Sequence, residues 1–386
     1  MKIAIYVAEL DVRGGTHKQI LKLANFLERQ RHDVVLFTPV YHAAKTYTAF
    51  SDYKISTIRT TPAKSGHISS STRIKRFICD LWDQFCLFRR SKHYPVVNVH
   101  DLNTTFYLLL HAFFSSAKLI WQINDIHPAF GVGCAKDAKK SRIAGLYRFF
   151  SRLAAQRVDL ITVNVTKNAE RVQQYLGVSA KVIYCGVDFL SPRKKHPPTD
   201  QMIRLVSTGV IFRYRNYENL IKAANQFQSI YQKKVSIDIV GDMRNDPAYV
   251  SELCALSEKL SVKLKLHGSV SQKALETLYA QSTLFVFINI DQSWGLAVCE
   301  AASQGLPVIL SSSVGVVELL SDSTGFLMVD PEKPDAIVQA IHDATYDHEQ
   351  YVTLCESARK KVQPMSWDNM YSAVVECQML KLSGST

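Results

Sequence analysis

Lys2-Ile3-Ala4-Ile5-Tyr6-Val7-Ala8 opens the chain as an apolar run. A glycine turn, Gly14-Gly15, follows it. Ile20, Leu21, Leu23, Ala24 and Leu27 then recur at the spacing of a helix, and Val34-Val35-Leu36-Phe37 is apolar again. The period changes from that of a strand to 3.6 residues and back. Such a strand-turn-helix-strand unit predicts a parallel sheet with flanking helices, an α/β fold. The opening run passes directly into Glu9 and Asp11, which reads as a strand and not as a signal peptide.

The same grammar continues in both directions. Strands are expected at Val96–Val99, Leu119–Ile123, Leu160–Val163 and Lys181–Ile183. Residues 191–200, Ser-Pro-Arg-Lys-Lys-His-Pro-Pro-Thr-Asp, carry three prolines and no periodicity, so they read as a linker. A second series starts at Ile203–Ser207 and continues at Val235–Val240, Lys263–Leu266, Thr283–Ile288 and Pro307–Leu310. The 386 residues suit two domains at roughly 100–200 residues each. The expectation is therefore two Rossmann-like doubly wound domains, 1–190 and 201–365. They would face each other across a cleft that holds the ligand at the carboxyl ends of the strands.

Composition narrows the function classes. Hydrophobic residues make up 47% and charged residues 21%, which places the chain among globular proteins. No apolar run reaches the length of a membrane span. None of the eight cysteines forms a Cys-x-x-Cys pair, so neither a zinc site nor a redox motif is expected. They read as reduced thiols of a cytoplasmic protein. The net charge of +12 is one-sided: residues 1–190 hold 27 Lys and Arg against 13 Asp and Glu, and the remainder 19 against 21. A basic amino-terminal half suits an anionic membrane surface or a phosphorylated substrate. No recognised nucleic-acid motif accompanies the charge, so nucleic acid is not an expected partner.

Asp291-Gln292-Ser293-Trp294-Gly295-Leu296-Ala297-Val298-Cys299-Glu300 is the most informative segment. A helix is expected from about Gly295 to Gly305, with Pro307 just beyond. Gln292 then lies in the preceding loop and Glu300 on the helix, among small and apolar neighbours. The N–H groups of Gly295 and Leu296 would point at an anion, as would that of Gly15. Gly14-Gly15 alone is equally compatible with a plain tight turn. Arg213-Tyr214-Arg215-Asn216 follows Ser207-Thr208-Gly209 at a strand end, where arginines could clamp a diphosphate.

In their order and spacing these pieces resemble the GT-B glycosyltransferases, specifically the large retaining family 4. Val158-Asp159-Leu160-Ile161-Thr162-Val163 and Val182-Ile183-Tyr184-Cys185-Gly186-Val187-Asp188 are similar to that family's amino-terminal domain. Gly209-x5-Arg215-Asn216 resembles its phosphate-binding turn, and Gln292-x7-Glu300 its Glu-x7-Glu motif. Val314-Gly315-Val316-Val317-Glu318 and Thr324-Gly325-Phe326-Leu327 resemble the two turns that follow. Ser366-Trp367-Asp368 matches the start of a closing helix, 366–386, that crosses back to the amino-terminal domain.

The resemblance implies a retaining transferase with a nucleotide-diphosphate sugar, UDP- or GDP-linked, as co-substrate and no cofactor. Glu300 would hold the ribose, and Arg215 with Arg213 the diphosphate. No Asp-x-Asp motif is present, so metal independence is expected. The acceptor, a glycan or a lipid-linked glycan, would meet Asp125 or His127. Two departures stand out. Gln292 replaces a glutamate, and an amide cannot act as a carboxylate nucleophile. Asn124-Asp125 stands where the family often has His-Asp, so Asn124 or His127 takes the histidine's place.

Residues 73–90 carry Ile74, Phe77, Ile78, Leu81, Trp82, Phe85 and Phe88 at helical spacing, flanked by Arg and Lys. A second stretch runs from Lys136 through Lys139, Lys140, Arg142 and Arg148 to Arg157, with Tyr147, Phe149 and Phe150 within it. Both suit peripheral attachment to the inner face of a membrane. Both also suit helices that pack their apolar stripes on a sheet.

Overall fold

The structure is a computed structural model that describes residues 1–11, 14–59, 70–100, 103–126, 128–130, 142–190 and 202–371. The expected linker at 191–200 lies outside the described residues, as does His127. Two compact units result: Met1–Cys185 with Trp367–Thr386, and Gly186–Ser366.

Among the described residues the first unit has seven strands: β1 (Lys2–Tyr6), β2 (Asp33–Val40), β3 (Lys54–Arg59), β4 (Val96–His100), β5 (Lys118–Ile123), β6 (Leu160–Val163) and β7 (Lys181–Val182). Their order is β3-β2-β1-β4-β5-β6-β7, and every pairing is parallel. Parallel strands need crossovers, and helices supply them here except between β2 and β3, where the chain makes a 3-10 turn at Thr48–Asp52. The helices are α1 (Gly15–Arg29), α2 (Ser70–Ser91), α3 (Thr105–Phe114), α4 (Arg142–Ala155) and α5 (Thr166–Leu176). Leu87 of α2, Tyr107 of α3, Ala154 of α4 and Val172 of α5 join Ala4, Tyr6, Val97 and Trp121 in one core. The opposite face receives α1. A short closing helix, α13 (Trp367–Tyr371), packs on α1: Asp368 pairs with Arg29, and the Tyr371 hydroxyl donates to Gln19 O at 3.3 Å.

Among the described residues the second unit has six parallel strands: β8 (Met202–Thr208), β9 (Lys234–Val240), β10 (Lys263–Leu266), β11 (Leu284–Phe287), β12 (Val308–Ser311) and β13 (Phe326–Val329). Their order is β10-β9-β8-β11-β12-β13. The helices α6 (Tyr217–Tyr231), α7 (Pro247–Lys259), α8 (Gln272–Gln281), α9 (Leu296–Ser303), α10 (Val317–Leu320), α11 (Pro334–Thr345) and α12 (His348–Val362) surround it. Its β11 and β12 are buried, nearly continuous apolar runs, as strands covered on both faces require, whereas the edge strand β10 alternates as Lys-Leu-Lys-Leu. Each sheet reverses its strand order once, between β1 and β4 and between β8 and β11. A crevice at the carboxyl ends is expected at such a reversal.

One polar row lies on the face of the first sheet that α1 covers, beside Gln19, Leu23 and Tyr371. His100, Gln122 and Thr162 are register neighbours across β4, β5 and β6. With Asn98 they line a cavity of about 20 Å³. Neither ring nitrogen of His100 has a protein hydrogen-bond partner. Burial, with His17 nearby, lowers the His100 pKa from an ordinary 6.5 to about 3. In the unfolded chain His100 binds a proton near 6.5. Folded, it stays neutral until about pH 3. Between those values the unfolded state holds the extra proton, so acid favours unfolding. The contribution is fully present above pH 6.5 and falls by up to about 1.4 kcal/mol per pH unit below it. His100→Leu is therefore expected to flatten the pH dependence of the first unit's urea midpoint between pH 6.5 and 4.5. An unchanged pH dependence would contradict this.

Candidate functional site

In the second unit the site is built at the reversal between β8 and β11. β8 ends at Thr208, and Gly209 follows at φ +142°, a conformation that favours glycine. The Gly209 N–H donates to Val240 O at 2.8 Å, and the Gly241 N–H to Gly268 O at 2.9 Å. Two glycines thus leave adjacent strand ends in close backbone contact. A Cβ on Gly241 would lie 1.8 Å from the Gly209 carbonyl oxygen.

The bare face of Gly209 is covered by an arginine. A Cβ there would lie 2.4 Å from Cζ of Arg215. Arg215 closes a 3-10 turn, Arg213–Arg215, whose last N–H donates to Phe212 O at 2.9 Å. Asn216 then takes the left-handed conformation, which Asn tolerates well, and α6 begins. The Arg215 side chain is buried, with Cζ 5.0 Å from the Tyr214 ring and 5.5 Å from that of Phe287. Its Nε has no hydrogen-bond partner, and among the described residues no carboxylate pairs with it. A buried guanidinium without a counter-charge is costly unless an anion supplies one.

Arg213 points elsewhere. Its guanidinium holds Glu252 through two bonds of 2.9 and 2.7 Å, with Asp246 at 3.6 Å. Of the two arginines expected at a diphosphate, Arg213 is thus held by carboxylates and Arg215 is not, among the described residues.

The loop after β11 lies beside this turn, because the Ile290 N–H donates to Tyr214 O at 2.8 Å. Gln292 Oε1 accepts from Asn289 Nδ2 at 3.3 Å, and Gln292 O accepts the Gly315 N–H at 3.0 Å. The Val316 N–H holds Trp294 O at 3.2 Å. Gly295 follows at φ +111°, and α9 starts at Leu296. The first N–H groups of a helix have no intrahelical acceptor, so Leu296 and its neighbours offer donors to a ligand. Glu300 is the fifth residue of α9, half-buried on the same side as Leu296, while Val298, Cys299, Ala301 and Ala302 are buried. Among the described residues no group of three or more His, Cys, Asp or Glu could hold a metal ion.

In the first unit Gly14 is extended and Gly15 opens α1. Neither needs a positive φ. A Cβ on Gly14 would meet His17 Nδ1 at 3.3 Å, and His17 Nε2 donates to Glu9 O at 2.9 Å. Asn124, at the end of β5, is buried and donates to Thr16 Oγ1 at 3.4 Å. Its own Oδ1 accepts from Gln122 Nε2 at 3.2 Å. Asn124 therefore sits at the start of α1, and Asp125 beside it is exposed.

Residues 13–189 match Glycosyltransferase Family 4, and residues 189–361 match Glycosyl transferases group 1. The chain is a group 1 glycosyltransferase. Its two Rossmann-like units are those of the GT-B fold. This glycosyltransferase is 22% identical over 392 residues to an uncharacterized glycosyltransferase of Methanocaldococcus jannaschii, covering 97% of each chain. Among solved structures it is similar to sucrose-phosphate synthase from Thermosynechococcus elongatus, with a TM-score of 0.81, 16% identity and 100% of both chains covered. It is also similar to Anabaena HepE in complex with UDP and glucose, at a TM-score of 0.75 and 18% identity, covering 98% of this chain and 100% of that one.

Two parts of the candidate site escape a reading of the sequence. Gly241 repeats after β9 what Gly209 does after β8, a glycine directly behind an apolar run, and that repetition was the available signal. The aromatic bed of Tyr214 and Phe287 carries no local signal. It arises only when β11 is placed beside β8.

Proposed function

We propose that this glycosyltransferase moves a sugar from a UDP- or GDP-linked donor to a glycan or lipid-linked acceptor, with retained configuration and without a metal. The observation that carries this reading is Arg215: a buried guanidinium, without a carboxylate partner among the described residues, against bare glycine backbone at a strand-order reversal. A diphosphate supplies the missing negative charge. Glu300 accepts hydrogen bonds from the ribose hydroxyls, and the N–H groups of Gly295 and Leu296, with that of Gly15, add donors. As the bond from the sugar's anomeric carbon to the diphosphate oxygen breaks, Arg215 stabilises the charge that develops on that oxygen. The acceptor hydroxyl attacks the same face of the sugar, and its proton passes to the departing phosphate. Asp125 or His127 contacts the acceptor.

This course needs no side-chain nucleophile, which is what a glutamine at 292 allows. Gln292 orients the sugar as donor and acceptor of hydrogen bonds. A second reading, a non-catalytic sugar-nucleotide-binding protein, is favoured by that same residue. Gln292→Glu separates the two. A carboxylate about 5 Å from the diphosphate, at an effective dielectric near 20, costs on the order of 3 kcal/mol per unit charge. The wild type is expected to transfer sugar with retention in excess chelator, and Gln292→Glu to be no faster. A silent wild type beside an active Gln292→Glu variant would overturn the mechanism. Loss of transfer in chelator, restored by magnesium or manganese, would overturn the metal-independent part.

A further inference from the structure

We infer that the outer face of α2, α3 and α4 docks the chain on an anionic phospholipid bilayer. This deepens the proposed lipid-linked acceptor class and rests on that reading for its purpose, though not for its physical basis. The three helices are neighbours on one side of the first sheet. Each already buries a face there, through Leu87 and Phe88, through Tyr107 and Leu108, and through Ala154 and Ala155. Each also presents a second apolar face outward. On α2 these residues are Phe77, Ile78 and Trp82; on α3, Phe113 and Phe114; on α4, Leu146, Phe149 and Phe150. Trp82, Phe114 and Phe149 are 63%, 70% and 61% exposed. Such large side chains add nothing to the core where they stand, and together they exceed the singly scattered apolar residues of an ordinary surface.

Charge selects the occupant. The three helices carry eight Lys and Arg against two Asp. Both aspartates, Asp80 and Asp83, are paired with Arg59. Arg89, Arg90, Arg152 and, just past α4, Arg157 are exposed. The Arg157 guanidinium lies 4.8 Å from the centre of the Phe113 ring. Aromatic rings ringed by long cations are what the boundary between headgroups and acyl chains accommodates: rings enter, and cations remain at the phosphates. A second copy of this chain would set like charge against like.

The test is co-sedimentation of the full chain with phosphatidylcholine vesicles, pure or with ~30% phosphatidylglycerol. The chain is expected to pellet with the anionic vesicles, less so as salt rises, and weakly with the neutral ones. The triple variant Trp82→Ser, Phe114→Ser, Phe149→Ser should bind anionic vesicles at least about tenfold more weakly. Arg89→Glu with Arg157→Glu should also weaken binding. Tyr346→Ser, which removes an exposed ring from the second unit, should bind as wild type does. The inference is overturned by a wild type that ignores anionic vesicles or by a triple variant that binds equally well. It is also overturned by a solution dimer that the triple variant dissolves while neither protein binds vesicles. Vesicle binding needs no sugar donor and nucleotide binding needs no vesicle, so this inference and the proposed reaction can fail separately.

Discussion

Arg215→Ala is expected to lower kcat by roughly two to three orders of magnitude, about 2.7–4 kcal/mol, while KM for the donor changes far less. The split follows from timing. The donor diphosphate is already charged in the ground state, but the oxygen that leaves gains its charge only as the bond breaks. The same substitution should not weaken the fold. Arg215 has no carboxylate partner among the described residues, so its removal strands no buried charge. It forfeits only its ring contacts with Tyr214 and Phe287, worth about 1 kcal/mol. The measurement is initial rate against donor concentration, with a urea curve of the same protein. A variant with wild-type kcat would remove Arg215 from the chemistry. One that unfolds far earlier than wild type would make Arg215 a structural residue.

Gly241→Ala should be the most disruptive single methyl in the second unit. The added carbon would fall 1.8 Å from the Gly209 oxygen, 2.5 Å from its carbonyl carbon and 3.2 Å from Val210 N. All three are backbone atoms, so no rotamer change relieves the contact. The ends of β8 and β9 must part, straining the bonds from Gly209 N to Val240 O and from Gly241 N to Gly268 O. Overpacking and the lost hydrogen bonds together should cost about 3 kcal/mol or more. Gly209 would move with the strand end and carry Arg215 away from its place, so nucleotide binding should fall as well. Gly177→Ala is the comparison: its φ is +78°, and a Cβ there meets nothing within 4 Å. It should cost only about 1 kcal/mol of backbone strain. Equal urea midpoints for the two variants would contradict the close-contact account.

The places where sequence and structure part have a common physical origin. Eleven strands are expected from apolar runs, and β3 (Lys-Ile-Ser-Thr-Ile-Arg) and β13 (Phe-Leu-Met-Val) are not among them. β3 is an edge strand with only two apolar residues in six, and an edge needs less apolar sequence than a centre. β13 is an apolar run of only four residues whose start, Phe326-Leu327, directly follows Thr324-Gly325 and reads as part of a turn. α9 was legible to within two residues, because Gly295 and Gly305 both take positive φ and Pro307 follows. The stripe in α2 was legible as a helix, but not as two faces. Phe88 is buried while Phe77, Ile78 and Trp82 are exposed, and no periodicity says which side of a doubly apolar helix meets the sheet. Arg213 and Arg215 look alike in sequence. Glu252, some forty residues away, takes the first and leaves the second facing Gly209. Asn124 at the start of α1 is likewise a product of strand order, since β5 reaches it through β4 and β1.

The central claim, a nucleoside diphosphate held by the second unit, is tested most directly by calorimetric titration. UDP, GDP and inorganic pyrophosphate are titrated separately into wild type, Glu300→Ala and Arg215→Ala. One of the two nucleotides should bind wild type at a single site, and both variants should bind it at least about tenfold more weakly. Pyrophosphate has no ribose, so Glu300→Ala should bind it as wild type does, whereas Arg215→Ala should lose it. Failure of both nucleotides to bind wild type, or wild-type affinity for the bound nucleotide in both variants, would contradict the account.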